Sequence, residues 1–217
     1  MITPLAVSAL IFAYLLGSFP SAVWIGKMLY GVDVREFGSG NAGATNTFRV
    51  LGKKAGIPVL ILDILKGWVA VNMTFYLLDD APGTAPYVNM QIVLGLAALL
   101  GHIFPLFAGF RGGKGIATLL GIMLAIQPAA SSVAILVFVA VFLVSGYVSL
   151  GSMSAGFTFP FIIMLFFNNS VVPSLVIFSF LVAILILITH QKNIERLIKR
   201  QESKTRLLKK KQSVILK

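Results

Sequence analysis

The chain contains no cysteine. Disulfides, thiolate metal sites and a thiol nucleophile are excluded with it, so covalent catalysis through sulfur plays no part in its chemistry. Carboxylates are also scarce. Seven Asp and Glu and two His among 217 residues form no cluster at ligand spacing, and neither a metal nor another cofactor is expected. Charge is thin throughout, at 12% of residues against 58% hydrophobic, which is far from a soluble composition. What charge there is has one sign: 18 Lys and Arg leave a formal net charge of +11. These cations flank apolar runs, where they set membrane topology and meet membrane lipids or an anionic substrate, and no nucleic acid partner is expected. The first charged residue is Lys27, so the N-terminus lacks a basic leader and the apolar run Leu5 to Trp24 is expected to stay attached as a span.

Apolar stretches of about membrane length fall at 5–25, 57–78, 87–108, 114–130, 131–148, 152–168 and 171–190. They predict an all-α integral membrane protein of about seven transmembrane helices. Gly146, Gly151, Pro160 and Pro173 are the main punctuation among the last four; membrane helices tolerate both residue types, so five or six crossings also fit. Basic residues gather at Lys27, Arg35, Arg49, Lys53 and Lys54, at Arg111 and Lys114, and in the C-terminal tail, while the loops near Asp79, Gln127 and Asn168 have none. The positive-inside rule then places the N-terminus outside and the C-terminus in the cytoplasm. The expected organisation is a transmembrane domain, 1–190, and a basic cytoplasmic tail, 191–217. No internal repeat divides the chain into transporter-like halves.

With this topology three polar segments reach the cytoplasmic face of the cell membrane together. The first, Gly38-Ser39-Gly40-Asn41-Ala42-Gly43, matches the dinucleotide fingerprint in letters only, since it lies between membrane helices and not inside a βαβ unit. Its local physics survives: glycines let the backbone approach an anion, Ser39, Asn41, Thr45 and Asn46 offer short polar side chains, and Arg49 offers a planar cation. By itself such a segment reads more readily as a solvated Gly-rich connector. The second, "GFRGGKGIAT" from Gly109, fails the nucleotide P-loop because Ala108 replaces the leading glycine and Gly115 the Ser or Thr. Gly112, Gly113 and Gly115 around Lys114 nevertheless make an anion seat where the next helix begins. Arg111 reads as a topology marker. The third segment puts His190 and Asn193 three apart, facing one space; His190 with Glu195 is too far around a helix to act as a dyad. His102 reads as structural, and Asp63 with Lys66, at i and i+3 inside an apolar span, as a helix-bracing pair.

At these three segments the chain resembles the bacterial acyl-phosphate-dependent glycerol-3-phosphate acyltransferases, through "GSGNAGATN" with Arg49 and through "GHIFPLFAGFRGGKGIAT". The resemblance runs nearly the length of the chain. It implies seven helices, a cytoplasmic active site, and acyl transfer from acyl phosphate to the 1-hydroxyl of sn-glycerol 3-phosphate, giving lysophosphatidic acid and phosphate. It makes Ser39, Arg49, Lys114, His190 and Asn193 candidates for holding glycerol 3-phosphate, with Lys114, His190 and Asn193 at the chemistry. Thr45, Asn46 and the Gly112-Gly113 turn would lie near the donor's phosphate. The third segment departs from the family pattern, having Gln191 where Arg is expected after the histidine and Arg200 where Gly is expected before the glutamate, Glu202. The alternative reading is a membrane transporter or channel for an organic phosphate anion; the lack of basic residues in the external loops counts against it. A thioester-dependent acyltransferase also fits the composition.

Overall fold

The computed structural model describes residues 4–166 and 171–204, all of the regular structure being helical. Ten α-helices follow in order: α1 Pro4–Gly17, α2 Ser21–Tyr30, α3 Ala44–Leu51, α4 Lys53–Asn72, α5 Ala85–Ile103, α6 Ile116–Ile126, α7 Pro128–Ser145, α8 Val148–Phe166, α9 Pro173–Thr189 and α10 Gln191–Ile198. Their ends follow from local chemistry. Prolines in the first turn start α5, α7 and α9, where a missing N–H costs nothing. Gly31 and Gly146 end α2 and α7 in the left-handed conformation, at φ 69° and 76°, which only glycine adopts freely.

Among the described residues α4, α5, α7 and α8 are each long and apolar enough to cross a membrane, and the bent pairs α1–α2 (43°) and α9–α10 (58°) raise the number to six. The stretch expected as a fourth crossing, 114–130, forms only the 11-residue α6. At 1.5 Å per residue it is roughly 16 Å long, about half a hydrocarbon core. Gly115 and the Gln127-Pro128 step set its limits. The surface fits lipid and not water: Val144 on α7 is 91% exposed and Leu136 68%, which a soluble protein would bury.

Two helix pairs approach through reciprocal small residues. A Cβ at Gly17 of α1 would overlap the Ala98 carbonyl oxygen of α5, and one at Gly101 of α5 would overlap that of Tyr14. In the same way Gly67 of α4 sits on the Thr118 carbonyl of α6, and Gly121 of α6 on that of Ile64. Such contacts let backbones close up where lipid supplies no hydrophobic drive. The principal core lies between α5, α6, α8 and α9, around Leu99, Ile122, Ile163 and Phe178. α6 is thus held closely on α4, and it also packs on α5, where Gly95 faces Ile122. Gly121→Ala should therefore separate α6 from α4 and cost about 1–3 kcal/mol; a detergent-solubilised variant melting at the wild-type temperature would contradict that packing.

Candidate active site

A cavity of about 610 Å³ opens among α3, α4, α6, α7, α8, α9 and α10. Helix ends and loops give it Ser39, Thr45, Arg49, Lys114, His190 and Asn193, while helix interiors give it Leu119, Met123, Phe138, Phe159, Val182 and Ile186. Gly40, Asn41, Asn46 and Gly115 also line it. The three polar segments thus meet in one space. The expected domain boundary at 190/191 falls inside this wall, since Lys192, Asn193, Arg196, Glu202 and Ser203 all belong to it; residues 205–217 of the basic tail lie outside the described residues.

The first loop is built on two residues with different jobs from those expected. Asn46 is buried and its amide is fully used: Nδ2 donates to the carbonyls of Val34 (2.7 Å) and Phe37 (3.1 Å), and Oδ1 accepts from the N–H (2.8 Å) and hydroxyl (3.0 Å) of Ser39. No donor or acceptor is left for a ligand, so Asn46 positions Ser39 and does not itself grip substrate. Arg35, read from the sequence only as a marker of topology, grips Asp33 through two nitrogens at 3.0 and 2.7 Å. It also donates to the Ala108 carbonyl at 2.7 Å. One guanidinium therefore ties the first loop to the second. The hydrogen bonds from Arg35 hold the Asp33 carboxyl well below the usual carboxylate range, against the opposing effect of burial. The Asp33-x-Arg35 spacing was the available signal.

The second loop corrects another expectation. The N–H groups of Gly112 and Gly113 donate to the carbonyls of Ile103 and His102, each at 3.2 Å, at the end of α5. Neither glycine lines the large cavity. A Cβ at Gly112 would overlap the His102 carbonyl and one at Gly113 the His102 ring, so these glycines pack the loop onto α5 and do not seat an anion. The free amides lie one step further on, at the start of α6, where Gly115 provides no side-chain cap and Ile116 and Ala117 line the cavity. The start of α3, after Gly43, is likewise uncapped and lined by Ala44 and Thr45. Two helix N-termini, each with orphan N–H groups and a positive dipole end, converge on one cavity.

Lys114 reaches across to α10. Its ammonium donates to Asn193 Oδ1, Asn193 Nδ2 donates to Glu202 Oε1 at 2.7 Å, and the Ser149 hydroxyl donates to the same oxygen at 3.0 Å. This chain joins the α5–α6 loop, α8, α10 and the turn after it; Ser149 and the role of Glu202 in it were not visible in local sequence. Arg200 occupies that turn at φ 56°, a left-handed position suited to glycine, the residue type expected there from the resemblance. His190 is buried, and its Nδ1 lies 2.8 Å from the Ile186 carbonyl. A carbonyl only accepts, so Nδ1 carries the proton and Nε2 keeps its lone pair.

Behind the cavity, Asp63 Oδ1 pairs with Lys66 at 2.9 Å and accepts from the Ser21 hydroxyl at 2.6 Å. His102 Nδ1 sits 3.1 Å from Thr118 Oγ1, and Lys66 also donates to the Phe19 carbonyl at 3.1 Å. The expected Asp63–Lys66 brace is therefore present. It links α2 and α4, with His102 and Thr118 carrying it on towards α5 and α6.

A family description, glycerol-3-phosphate acyltransferase, matches residues 7–200. The chain is 40% identical to a glycerol-3-phosphate acyltransferase of Chlorobium phaeobacteroides, covering 91% of this chain and 94% of the relative. It is 41% identical to one of Salinibacter ruber, covering 87% of each. Among solved structures it is similar to PlsY, an integral membrane glycerol 3-phosphate acyltransferase, in its glycerol 3-phosphate form, with 37% identity, 92% of this chain and 95% of that chain covered, and a TM-score of 0.78. The lysophosphatidic acid form matches with a TM-score of 0.77.

Burial of the Lys114 ammonium, aided by the positive charges of Arg196 and Arg49 and opposed by Glu202, pushes its pKa down to about 8. The sign follows directly. An anion held by the ammonium loses it as pH rises through about 8, whereas fold stability rises between about 8 and the ordinary 10.5, where only the unfolded chain still carries the proton. Inorganic phosphate binding, followed by phosphorus NMR in detergent, should weaken above pH 8 in step with Lys114 deprotonation. Affinity unchanged up to a pH of about 10 would remove Lys114 from the anion seat.

Proposed function

Because the chain belongs to the glycerol-3-phosphate acyltransferase family of integral membrane enzymes, we propose that its cavity transfers a fatty acyl group from acyl phosphate to the 1-hydroxyl of sn-glycerol 3-phosphate. The observation that carries this reading is the junction of an apolar channel with cations and uncapped helix N-termini in one cavity. An acyl chain lies in the channel beside Leu119, Phe138 and Phe159, and phosphate lies at the polar end. The 1-hydroxyl oxygen attacks the acyl carbonyl carbon; a new ester C–O bond forms, the anhydride C–O bond breaks, and its electron pair leaves with phosphate. The hydroxyl donates to His190 Nε2, whose tautomer is fixed by the Ile186 carbonyl, and its proton leaves with the released phosphate. Phosphate leaves readily from a mixed anhydride, so alignment and charge stabilisation suffice without an acyl-enzyme intermediate. Lys114 and the start of α6 steady the charge that grows on the leaving oxygen, and Arg49 and Ser39 hold the acceptor.

The site is assigned to the cytoplasmic face of the cell membrane, with the N-terminus outside and the tail inside. The distribution of Lys and Arg supports this. So does the run of the helices: α5 ends at the site, α6 leaves it, α8 begins beside it at Ser149 and α9 returns to it at His190. For α7 to bring the chain back between α6 and α8, α6 must serve as a short crossing, fourth in chain order, which raises the number from six to seven and which its close packing on α4 allows.

Purified enzyme supplied separately with acyl phosphate and acyl-coenzyme A, with lysophosphatidic acid and released phosphate measured, decides the donor. Turnover is expected with acyl phosphate alone. Lys114→Ala and Arg49→Ala should lower kcat/KM by at least about a hundredfold, the scale of a lost transition-state donor, in protein that still folds in membranes. His190→Ala should lower kcat with little change in acceptor KM; a raised KM with intact kcat would make His190 a binding group instead.

A further inference from the structure

Resting on the acyl-phosphate reading above, we propose that Arg196, supported by Lys192, holds the phosphate of the acyl donor. The need for such a group comes from the structure itself. The residues expected beside the donor's phosphate were Thr45, Asn46 and the Gly112-Gly113 turn. Asn46 is saturated by Val34, Phe37 and Ser39, and both glycine amides are spent on α5. Thr45 and the helix N-termini remain, but they bring no full charge. Arg49 and Lys114 are the cations assigned to the acceptor and the leaving oxygen. Two phosphate-bearing reactants in one cavity call for more positive charge than these two supply.

Arg196 and Lys192 line the same cavity and neither was singled out from the sequence. They lie four apart on α10, and Arg196 lies three after Asn193, so all three side chains share one face. Arg196 is half-buried. Among the described residues no hydrogen bond or ion pair engages its guanidinium, which leaves its fork of donors free for phosphate. Among the described residues it forms no ion pair with the carboxylates of the cavity: Asp63 pairs with Lys66 and accepts from Ser21, and Glu202 accepts from Asn193 and Ser149. The charge of Arg196 is felt at the Lys114 ammonium, and both side chains line the one cavity. Its backbone is fixed as well, because the Arg196 carbonyl accepts the N–H groups of Gln201 at 2.7 Å and Glu202 at 3.2 Å. The turn that delivers Glu202 to Asn193 is therefore the turn that sets Arg196.

Full-length Arg196→Ala, Arg196→Gln and Arg196→Lys enzymes, with Lys199→Ala as a control at an exposed cation paired with Glu195 and outside the cavity wall, would be compared by steady-state kinetics with each substrate varied at saturating levels of the other. The expected result for Ala and Gln is a rise of about tenfold or more in KM for acyl phosphate, with glycerol 3-phosphate KM within about twofold of wild type. Arg196→Lys should recover part of the loss, and Lys199→Ala should change neither KM. Unchanged KM values, a fall in kcat alone, or a rise confined to glycerol 3-phosphate would overturn the assignment. Wild-type enzyme inactive with acyl phosphate but active with acyl-coenzyme A would instead overturn the donor reading on which it rests, so the two failures are told apart by the wild-type arm.

Discussion

The contact between the Lys114 ammonium and the side-chain oxygen of Asn193 joins pieces of chain that are 79 residues apart. Without it, the α5–α6 loop and α10 would be separate features of one membrane face. Its geometry also sets a constraint: a cation that leans on a neutral amide, with the nearby carboxylate one hydrogen bond further along, keeps its charge available to a substrate. Had Lys114 paired directly with Glu202, the ion pair would have competed with phosphate for the same ammonium. Asn193 thus positions Lys114 while Glu202, held by Ser149, positions Asn193.

The remainder of the fold serves to keep that contact in register. Reciprocal glycines press α1 on α5 and α4 on α6, and this fixes the two helices that the α5–α6 loop joins against their neighbours. The buried Asp63–Lys66 pair with Ser21 links α2 to α4, and Arg35 straps the first loop to the second. Each of these is a polar or close-packed contact in a setting where lipid gives no hydrophobic drive for helices to associate. Charge then does the rest, since the site gathers Arg49, Lys114, Lys192 and Arg196 in one cavity against only two carboxylates, both already engaged.

Much of this was legible in the sequence because membrane physics makes the exceptions conspicuous. In a chain this apolar, glycines around Lys114 and the polar run from Ser39 to Arg49 have few explanations, and the sidedness of Lys and Arg gathers them. The structure does place Ser39, Arg49, Lys114, His190 and Asn193 around one cavity. What sequence could not give was the direction of individual hydrogen-bonding groups. Asn46, Gly112 and Gly113 read as ligand-facing because their chemistry suits phosphate, yet their bonds are spent inside the protein. Ser149 and Arg35 were missed because their partners, Glu202 and Ala108, lie 53 and 73 residues away. The length of α6 was overestimated because the expected stretch, 114–130, ran past both its ends, which lie at the left-handed Gly115 and at the Gln127-Pro128 step.

The most direct measurement is a double-mutant cycle on kcat/KM with Lys114→Met, Asn193→Ala and the combination, in enzyme shown to be folded. If the two side chains act as one unit, the second substitution costs little once the first is made, with a coupling energy above about 1 kcal/mol. Additive losses would contradict the account, because Lys114 and Asn193 would then be contributing to catalysis independently of each other.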